Sequence, residues 1–304
     1  MKALYAFFQS ENTNPAAGEK ELFHSIDKVY EIYLYYLSIL PELKHFIQQF
    51  LEERKLKHLP TSEDLDPKLN FVNNKLIKAI EENQSLQDQC KKLKIHWNDQ
   101  EEIIRKIYFD FRNTPTYRDY LEPSAPDLAA DKDILVYLFT EFIFPSVLVI
   151  QLFEEKSIYW LDDIEIMQRG VLKTIKSIKA NSTESFELLP LIKEAKEDRQ
   201  FASDLFRKTL LNSAPYEKEI AEKAQNWEID RVAKMDIILM KMAICELTEF
   251  PSIPVKVTLD EYIELSKDYS SPQSKMFING ILDKIVADYR RGNKINKSGR
   301  GLVE

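Results

Sequence analysis

Apolar residues recur every three to four positions along most of the chain, and the strict alternation typical of strands is nearly absent. This pattern predicts an all-α protein. The loops are expected where turn-forming residues cluster, as in "NTPTYRDYLEPSAPD". Helices are predicted at about 2–10, 21–40, 41–57, 68–90, 98–112 and 131–179, and again between the break at 180–185 and about Tyr289.

One apolar stretch, residues 134–153, is as long as a membrane span and carries a single charge, at Glu141. Pro145 and Gln151 interrupt it, and charged segments follow closely on both sides. Because a proline breaks the regular hydrogen bonding of a helix, we expect two buried helices that meet near Pro145.

The chain also contains an internal repeat, in which Asp131 aligns with Asp198 and no gap is needed. Residues 131–172 and 198–239 share nine identities in one register, among them Trp160 with Trp227 and Asp163 with Asp230. The alternative is a chance alignment of two amphipathic helical stretches. A matched Trp, Glu-Lys pair and Asp favour a partial duplication. We therefore predict that 131–175 superposes on 198–242, with both tryptophans buried.

The charge and cysteine content narrow the classes of function. The net charge is −8 over 304 residues and the pI is about 5.3, so contact with nucleic acid would need a local basic patch. Cys90 and Cys245 lie far apart in the sequence, which suits a reducing cytoplasm. The four histidines form no set with zinc-ligand spacing, so no metal site is expected.

Glycine is rare, and this argues against the common enzyme classes. Four of the six glycines lie near the end of the sequence, from Gly280 onward, and none forms a phosphate-binding loop or a dinucleotide fingerprint. Hydrolase, metalloprotease and kinase motifs are missing as well. The opening "MKALYAFFQS" has no signal-peptide cleavage site. We expect neither enzymatic activity nor a cofactor.

The C-terminal region gives the clearest local predictions. The apolar stripe of "RVAKMDIILMKMAICEL" predicts a core helix at 232–248. Pro251 and Pro254 are expected to end it and to keep "SIPVKV" extended. Thr258 and Glu261 have the spacing of a capping box, which predicts a helix from about Leu259. A final helix is expected to begin near Ser274.

That final helix carries an apparent conflict. Phe277, Ile278 and Ile281 belong to one apolar stripe, yet the turn-forming pair Asn279-Gly280 interrupts it. A glycine inside a helix costs about 1 kcal/mol relative to alanine, so a compensating role is expected. Gly280 could allow close approach of a base or of another backbone.

These motifs resemble the NusB family of transcription antitermination factors. The resemblance lies in "KALYAFFQSE" (2–11), "RVAKMDIILMKMAICEL", "VKVTLDEYIELSKDY" and above all "SKMFINGILDKI". It covers residues 1 to about 12 and 196–290. The resemblance implies a first helix at 1–14, a helical insertion at 15–190, a NusB-like helical bundle completed by 191–290, and a basic tail at 291–304 that is expected to be disordered.

By this resemblance the chain would be a cytoplasmic protein that binds single-stranded boxA RNA together with ribosomal protein NusE. It would act in the transcription elongation complex and support ribosomal RNA transcription. The resemblance places two sets of residues at these contacts. The RNA-binding set is Lys2, Tyr5, Lys275, Phe277, Asn279, Gly280 and Lys284, and the partner-binding set is Asp236 and Gln273.

Two of the RNA-binding residues have structural alternatives. Asn279 offers a donor and an acceptor to a base edge, and Phe277 a stacking face, as recognition of single-stranded RNA requires. Alternatively, Gly280 only allows close packing against the first helix and Phe277 belongs to the core.

The family usually carries an arginine-rich stretch before its first helix, whereas here only Lys2 precedes "ALYAFF". Either Met1 is an internal methionine or RNA binding is weaker, and the basic tail residues Arg290, Arg291, Lys294, Lys297 and Arg300 could compensate. A helical protein-interaction module that has lost RNA binding remains the alternative function. An RNA-modifying enzyme with a NusB-like domain is rejected, because the sequence ends too soon after the motif to hold a cofactor-binding domain.

Overall fold

The computed structural model describes residues 1–10, 14–123, 125–160, 163–179, 186–190, 195–224 and 232–302. These residues are largely helical and contain no strand, as the sequence predicts for an all-α protein. The α-helices are α1 Lys2–Gln9, α2 Pro15–Lys55, α3 Ser62–Leu65, α4 Lys75–Glu81, α5 Gln84–Leu93, α6 Glu101–Arg112, α7 Pro115–Leu121, α8 Leu128–Leu138, α9 Val147–Lys156, α10 Ile164–Ser177, α11 Ala195–Leu211, α12 Ser213–Lys223, α13 Lys234–Glu249, α14 Val255–Tyr269 and α15 Ser274–Arg291. A π-helical turn, Phe139–Ile143, follows α8, and a 3₁₀ turn, Gly299–Leu302, ends the described chain.

The chain divides into two compact units. The first unit comprises Met1–His24 and Ile192–Glu304, and the second comprises Ser25–Leu191. Helix α2 contributes its beginning, up to His24, to the first unit. Glu19 explains this, because its carboxylate accepts hydrogen bonds from Ser203 and from Arg207 Nε, the latter at 2.8 Å. The insertion was expected to begin at residue 15.

Helix α13 is the centre of the first unit. Ten consecutive residues, 238–247, are buried in it, and α11, α12, α14, α15 and α1 all pack against it. Two charged side chains in this run have partners: Lys241 pairs with Glu217, and Glu246 accepts a hydrogen bond from the Tyr262 hydroxyl at 3.1 Å. Burial at this scale confirms the core helix predicted near 232–248.

Helix α14 begins earlier than predicted. It starts at Val255, directly after Pro254, whose extended backbone (φ −60°, ψ 144°) forms the N-cap. Thr258 therefore lies in the first turn rather than at the cap, and its hydroxyl donates to the Pro254 carbonyl. The predicted capping box and the extended "SIPVKV" are wrong, because the fixed φ of proline suits a helix start as well as an extended segment.

The second unit has its own core, with the middle of α2 at its centre. The two helices predicted at 21–40 and 41–57 are one helix, with Pro41 inside it. Ile39, Leu40 and Leu43 are fully buried on both sides of the proline. Apolar burial on both sides offsets the lost backbone hydrogen bond.

Other boundaries in the second unit also differ from the prediction. The helix predicted at 68–90 is divided between α4 and α5, because Asn83 caps the start of α5 by accepting from the Leu86 amide. The predicted loop at 113–127 contains α7, since Thr114 is its N-cap and Pro115 occupies its first position.

The long apolar stretch forms two buried helices, as expected. Leu128–Ile143 and Val147–Lys156 meet at an angle of 73° on either side of Pro145. Leu138, Phe139 and Phe153 are buried in the core of the second unit. Within the described residues no single helix is long and apolar enough to cross a bilayer, and this bent pair meets that criterion only in combination.

The helix boundaries can be compared across the offset of the sequence repeat. Shifted by the offset of the sequence repeat, 128–143, 147–156 and 164–177 become 195–210, 214–223 and 231–244, close to the observed α11, α12 and α13. Seven shifted pairs are apolar and buried at both positions: Leu138/Leu205, Phe139/Phe206, Val149/Tyr216, Phe153/Ile220, Val171/Ile238, Ile175/Met242 and Ile178/Cys245. Trp160 is 1% exposed, but Trp227 lies outside the described residues. Superposition of the two segments therefore stays a prediction.

The tail beyond α15, expected to be disordered, lies along the C-terminal end of α13 as far as residue 302. Lys297 Nζ donates to the Phe250 carbonyl at 3.0 Å and to the Glu246 carbonyl at 3.3 Å. The Ser298 amide donates to the Pro251 carbonyl at 2.9 Å. Gly301 is buried there, where a Cβ atom would lie 2.2 Å from the Pro251 oxygen. The helix-end carbonyls give this basic segment a binding site.

Candidate nucleic-acid interface

Helix α15 carries five of the seven predicted RNA-binding residues. One face of the helix is anchored in the first unit by Phe277, Ile278, Ile281, Leu282, Ile285 and Tyr289, all buried. The opposite face is exposed, and Met276 is 75% exposed on it. The helix is therefore held by one apolar stripe, which leaves its other side available for binding.

Gly280 lies on this exposed side. Apart from the nearby backbone of α15 itself and the two adjacent residues, a Cβ atom added at Gly280 would have no heavy-atom neighbour within 4 Å. The glycine is thus not required by close packing against α1 or any other described element. This removes one of the two explanations given by the sequence, and leaves an open helical surface where a ligand could approach the backbone.

Asn279 and Lys284 lie on different sides of that surface. Five residues along an α-helix correspond to a rotation of roughly 140°. Asn279 lies toward α14 and donates to the Asp283 carboxylate at 3.0 Å. Lys284 lies toward α12, where its amine is 3.4 Å from the Lys223 carbonyl oxygen. A strand that contacts both residues would have to cross the exposed ridge at Gly280.

A groove of about 540 Å³ runs between α14 and α15 on the Asn279 side. Its apolar residues include Leu259, Ile263 and Val286. The two helices are antiparallel, so the start of α14 lies beside the end of α15. One end of the groove is consequently basic, whereas Asn279 and Asp283 lie nearer the other. The basic residues are Lys256, Arg290 and Arg291.

Two further predicted cations lie near the loop between α14 and α15. Lys275 is exposed in the first turn of α15, and its charge acts on Glu264. The pKa of Glu264 is lowered chiefly by a hydrogen bond from Lys267, with smaller effects of the charges of Lys267 and Lys275. Lys2 Nζ lies 5.5 Å from the ring centroid of Tyr269, at the end of α14. This end of the unit thus carries Lys2 and Lys275 beside the acidic Glu264.

The two predicted aromatic residues have different environments. Tyr5 is 39% exposed on α1, while the neighbouring Leu4 anchors that helix in the core. Phe277 is 9% exposed and belongs to the apolar core of the first unit. Phe277 therefore has the core position rather than an exposed position for stacking on a base. Tyr5 therefore offers the more accessible ring for stacking on a base.

The predicted partner-binding residues are linked through the α14–α15 loop. Asp236, in the first turn of α13, is only 3% exposed and accepts a hydrogen bond from the Ser270 hydroxyl. Ser270 also contacts the Ser274 hydroxyl, 2.9 Å away, at the start of α15. Gln273 is exposed at the N-cap of α15. Asp236 thus fixes the loop, and Gln273 is the residue that the loop exposes.

The structure does not gather all predicted residues into one site. Lys2 and Lys275 lie near the α14–α15 loop, Asn279 lines the groove, and Lys284 lies on the opposite side of α15. The sequence missed Lys256 as a neighbour of Arg290 and Arg291. The position of Lys256 in the first helical turn after Pro254 could have indicated this neighbour. It did not, because α14 was predicted to begin later than it does.

Comparison with known proteins identifies the region that carries these residues. The model of the NusB family matches residues 159–287. A protein of Geotalea uraniireducens, named transcription antitermination protein NusB, is 34% identical over 125 residues, which are 41% of this chain and 83% of that protein. The chain belongs to the NusB family.

Other members of the NusB family match shorter parts of their own length. A protein of Salinibacter ruber with the same name is 45% identical over 105 residues, 34% of this chain and 66% of that protein. For a relative from Chloroherpeton thalassium the identity is 37% over 106 residues, 35% of this chain and 50% of that protein. The chain thus spans between half and two thirds of these two relatives. No solved structure matches the chain.

The matched segment of the NusB family model differs in extent from the resemblance seen in the motifs. It begins at residue 159, before α10, within the second unit. The motif resemblance begins near residue 196 and includes α1, which lies outside the match. Most of the second unit, from Ser25 to residue 158, is therefore additional to the matched NusB segment.

Proposed function

We propose that this chain is a cytoplasmic transcription antitermination factor that binds boxA-type single-stranded RNA together with ribosomal protein NusE. It would act within the transcription elongation complex and support ribosomal RNA transcription. The observation that carries this proposal is the exposed side of α15, open at Gly280, in a chain that belongs to the NusB family.

The RNA would follow the exposed side of α15. Asn279 already donates to a carboxylate across one helical turn, and the same amide group can instead pair with a base edge. Lys2, Lys275 and Lys284 would contact phosphates, and Tyr5 would stack on a base. Phe277 would act from the core, by holding α15 in position.

NusE would contact the loop between α14 and α15. Gln273 would be in direct contact, while Asp236 would position the loop through Ser270. Since the net charge of the chain is −8, we expect modest RNA affinity for the chain alone and a steep decrease with salt. NusE would raise the affinity by adding its own surface to the same strand.

The test is a titration of boxA-like and scrambled RNA, with and without NusE. Asn279→Ala should cost about 1–3 kcal/mol on boxA-like RNA, as loss of a base-edge contact does. Lys284→Ala should weaken both RNAs equally and reduce the salt dependence. Gln273→Ala should weaken NusE binding and leave the affinity for RNA alone unchanged.

Equal affinity for both RNAs, unchanged by Asn279→Ala, would contradict the proposal. The protein-interaction module without RNA binding would then be the better description. Thermal unfolding of each variant is the control, since Asn279, Lys284 and Gln273 are not core residues and their replacement should leave the fold intact.

A further inference from the structure

The second unit contains a pocket that the proposed function does not use. It has a volume of about 520 Å³, within the range of small-molecule sites. The end of α2, the segment around α3, and helices α6 and α7 line it. Leu51, Pro67, Leu121 and the rings of Tyr108 and Tyr117 provide apolar surface of the kind that a planar organic group can contact.

Arg112 is one of four cations that line the pocket. Its guanidinium carbon lies 5.2 Å from the ring centroid of Phe50, 5.5 Å from that of Tyr108 and 5.7 Å from that of Phe109. These rings restrict the orientation of the side chain without using its N–H donors. A guanidinium that is held in this way is well suited to bind a phosphate or carboxylate with two parallel hydrogen bonds.

The arginines of the pocket differ in how their charge is compensated. Arg54 pairs with Asp64, and Lys68 pairs with Glu122 at 2.8 Å. Arg118 donates only to the neutral Asn113 carbonyl, at 2.9 Å, and neither Arg112 nor Arg118 forms an ion pair with any described residue. No described carboxylate therefore uses the N–H donors of these two guanidinium groups.

The C-terminus of α6 does not account for both charges. Arg112 is the last residue of α6, and the Asn113 carbonyl that Arg118 contacts belongs to its C-cap. The dipole at a helix C-terminus is equivalent to about half a negative charge, which is less than two guanidinium groups supply. The rest of the balance comes from the lining itself, where Glu63 and Asp66 add two negative charges. A ligand would therefore gain from directional hydrogen bonds to the guanidinium groups rather than from an excess of positive charge.

The carboxylates that complete the lining come from a different segment. Glu63 lies in α3 and Asp66 directly after it, and both are exposed. Such a pocket combines carboxylate hydrogen-bond acceptors and an apolar wall with two guanidinium groups that form no ion pair with any described residue. A ligand that fits it has an anionic group, hydroxyl donors and a planar apolar part.

We propose that this pocket binds a nucleoside phosphate, with its phosphate on Arg112 and Arg118, its sugar hydroxyls toward Glu63 and Asp66, and its base against the apolar wall. The ligand is either a free nucleotide or the 5′-phosphorylated end of an RNA. This inference does not depend on RNA binding by the first unit, because every residue of the pocket belongs to the second unit.

The experiment is calorimetric titration of the full chain with inorganic phosphate, ribose 5-phosphate, nucleoside mono- and triphosphates, and a 5′-phosphorylated oligoribonucleotide. Nucleotides should bind more tightly than ribose 5-phosphate, and inorganic phosphate most weakly. Arg112→Gln and Arg118→Gln should each weaken nucleotide binding about tenfold or more, because each removes charge-assisted hydrogen bonds. An oligoribonucleotide that binds here should compete with the free nucleotide.

Arg105→Gln is the matched control. Arg105 lies on the same helix and its guanidinium lies 5.6 Å from the Phe109 ring, but it is not part of the pocket lining. Its replacement should leave nucleotide affinity unchanged. If Arg112→Gln lowers the unfolding temperature, the exposed Arg118 decides the question, since its replacement removes no ring contact.

Three results would overturn the proposal: phosphate binding as tight as nucleotide binding, no saturable binding of any ligand, or equal affinity in wild type, Arg112→Gln and Arg118→Gln. Failure of the proposed RNA function is distinguishable, because equal affinity for boxA-like and scrambled RNA would leave nucleotide binding in this pocket, and its loss in Arg112→Gln and Arg118→Gln, unaffected.

Discussion

Replacing Gly280 with alanine should stabilise the first unit. The residue is the seventh of an 18-residue helix and does not have a positive φ angle. Apart from the adjacent residues and the nearby backbone of α15, nothing lies within 4 Å of the added Cβ atom. Only the difference in helix propensity then remains, about 1 kcal/mol in favour of alanine. For a chain of this size we expect the unfolding temperature to rise by about 2–4 °C.

Gly301→Ala is the contrasting substitution in the same unit. Its Cβ atom would lie 2.2 Å from the Pro251 carbonyl oxygen, so the tail or the α13–α14 connection has to move. We expect a destabilisation of about 1–3 kcal/mol, as for other overpacked sites. The same chemical change should therefore have opposite effects at the two glycines.

Differential scanning calorimetry can resolve both changes, and hydrogen exchange of the α15 amides assigns the Gly280 effect to its helix. A lower unfolding temperature for Gly280→Ala would refute the description of an open helical surface. Under the proposed function the same variant should bind boxA-like RNA more weakly, because the methyl group separates the RNA from the helix. A more stable protein with unchanged RNA affinity would show that the glycine does not contact RNA.

Three further predictions follow from contacts within each of the two units. Lys297→Met should destabilise the first unit by about 1–2 kcal/mol in urea unfolding, because two charged hydrogen bonds to α13 carbonyls are lost from a partly solvated site. Hydrogen bonding by the Thr61 amide, with smaller effects of the Thr61 hydroxyl and Arg54, lowers the pKa of Asp64 to about 2. The stabilisation by ionised Asp64 is thus complete above pH 4 and lost as pH falls toward 2, and Asp64→Asn should remove this part of the acid dependence of unfolding. Phe139→Ala should destabilise the second unit by about 3–5 kcal/mol in the same urea assay, since Phe139 is 0% exposed, and a cost below 1 kcal/mol would contradict its core position.

The predictions that succeeded from sequence depended on burial. The stripe of α13 and the bend near Pro145 were readable because apolar residues keep the helical period whatever they pack against. The final helix from Ser274 was predicted correctly for the same reason. The resemblance to the NusB family likewise came from residues in and beside this core.

The failures depended on contacts between distant parts of the sequence. Pro41 stays inside a helix because the second unit buries the helical residues before and after it, and the local sequence does not show this burial. The tail is placed by carbonyls at the end of α13, with α14 and α15 between them in the sequence. The pocket of the second unit could not be found, because Phe50, whose ring lies against Arg112, belongs to α2, and α3, α4 and α5 separate that helix from α6. The structural role of a basic segment or of a proline therefore depends on the distant residues that it contacts.

The division of the chain has a consequence for synthesis on the ribosome. The second unit is one continuous segment ending at Leu191, whereas the first unit needs both Met1–His24 and helices as late as α15. At typical elongation rates, synthesis from Leu191 to the end of α15 takes roughly 5–20 s. Throughout that interval the apolar side of α1, including Leu4, is already synthesised, but the core that later buries it is not. The time for which α1 is accessible to chaperones is therefore set by the speed of translation. Slower translation should lengthen the period in which a protease can cleave near the N-terminus, while the second unit already resists cleavage.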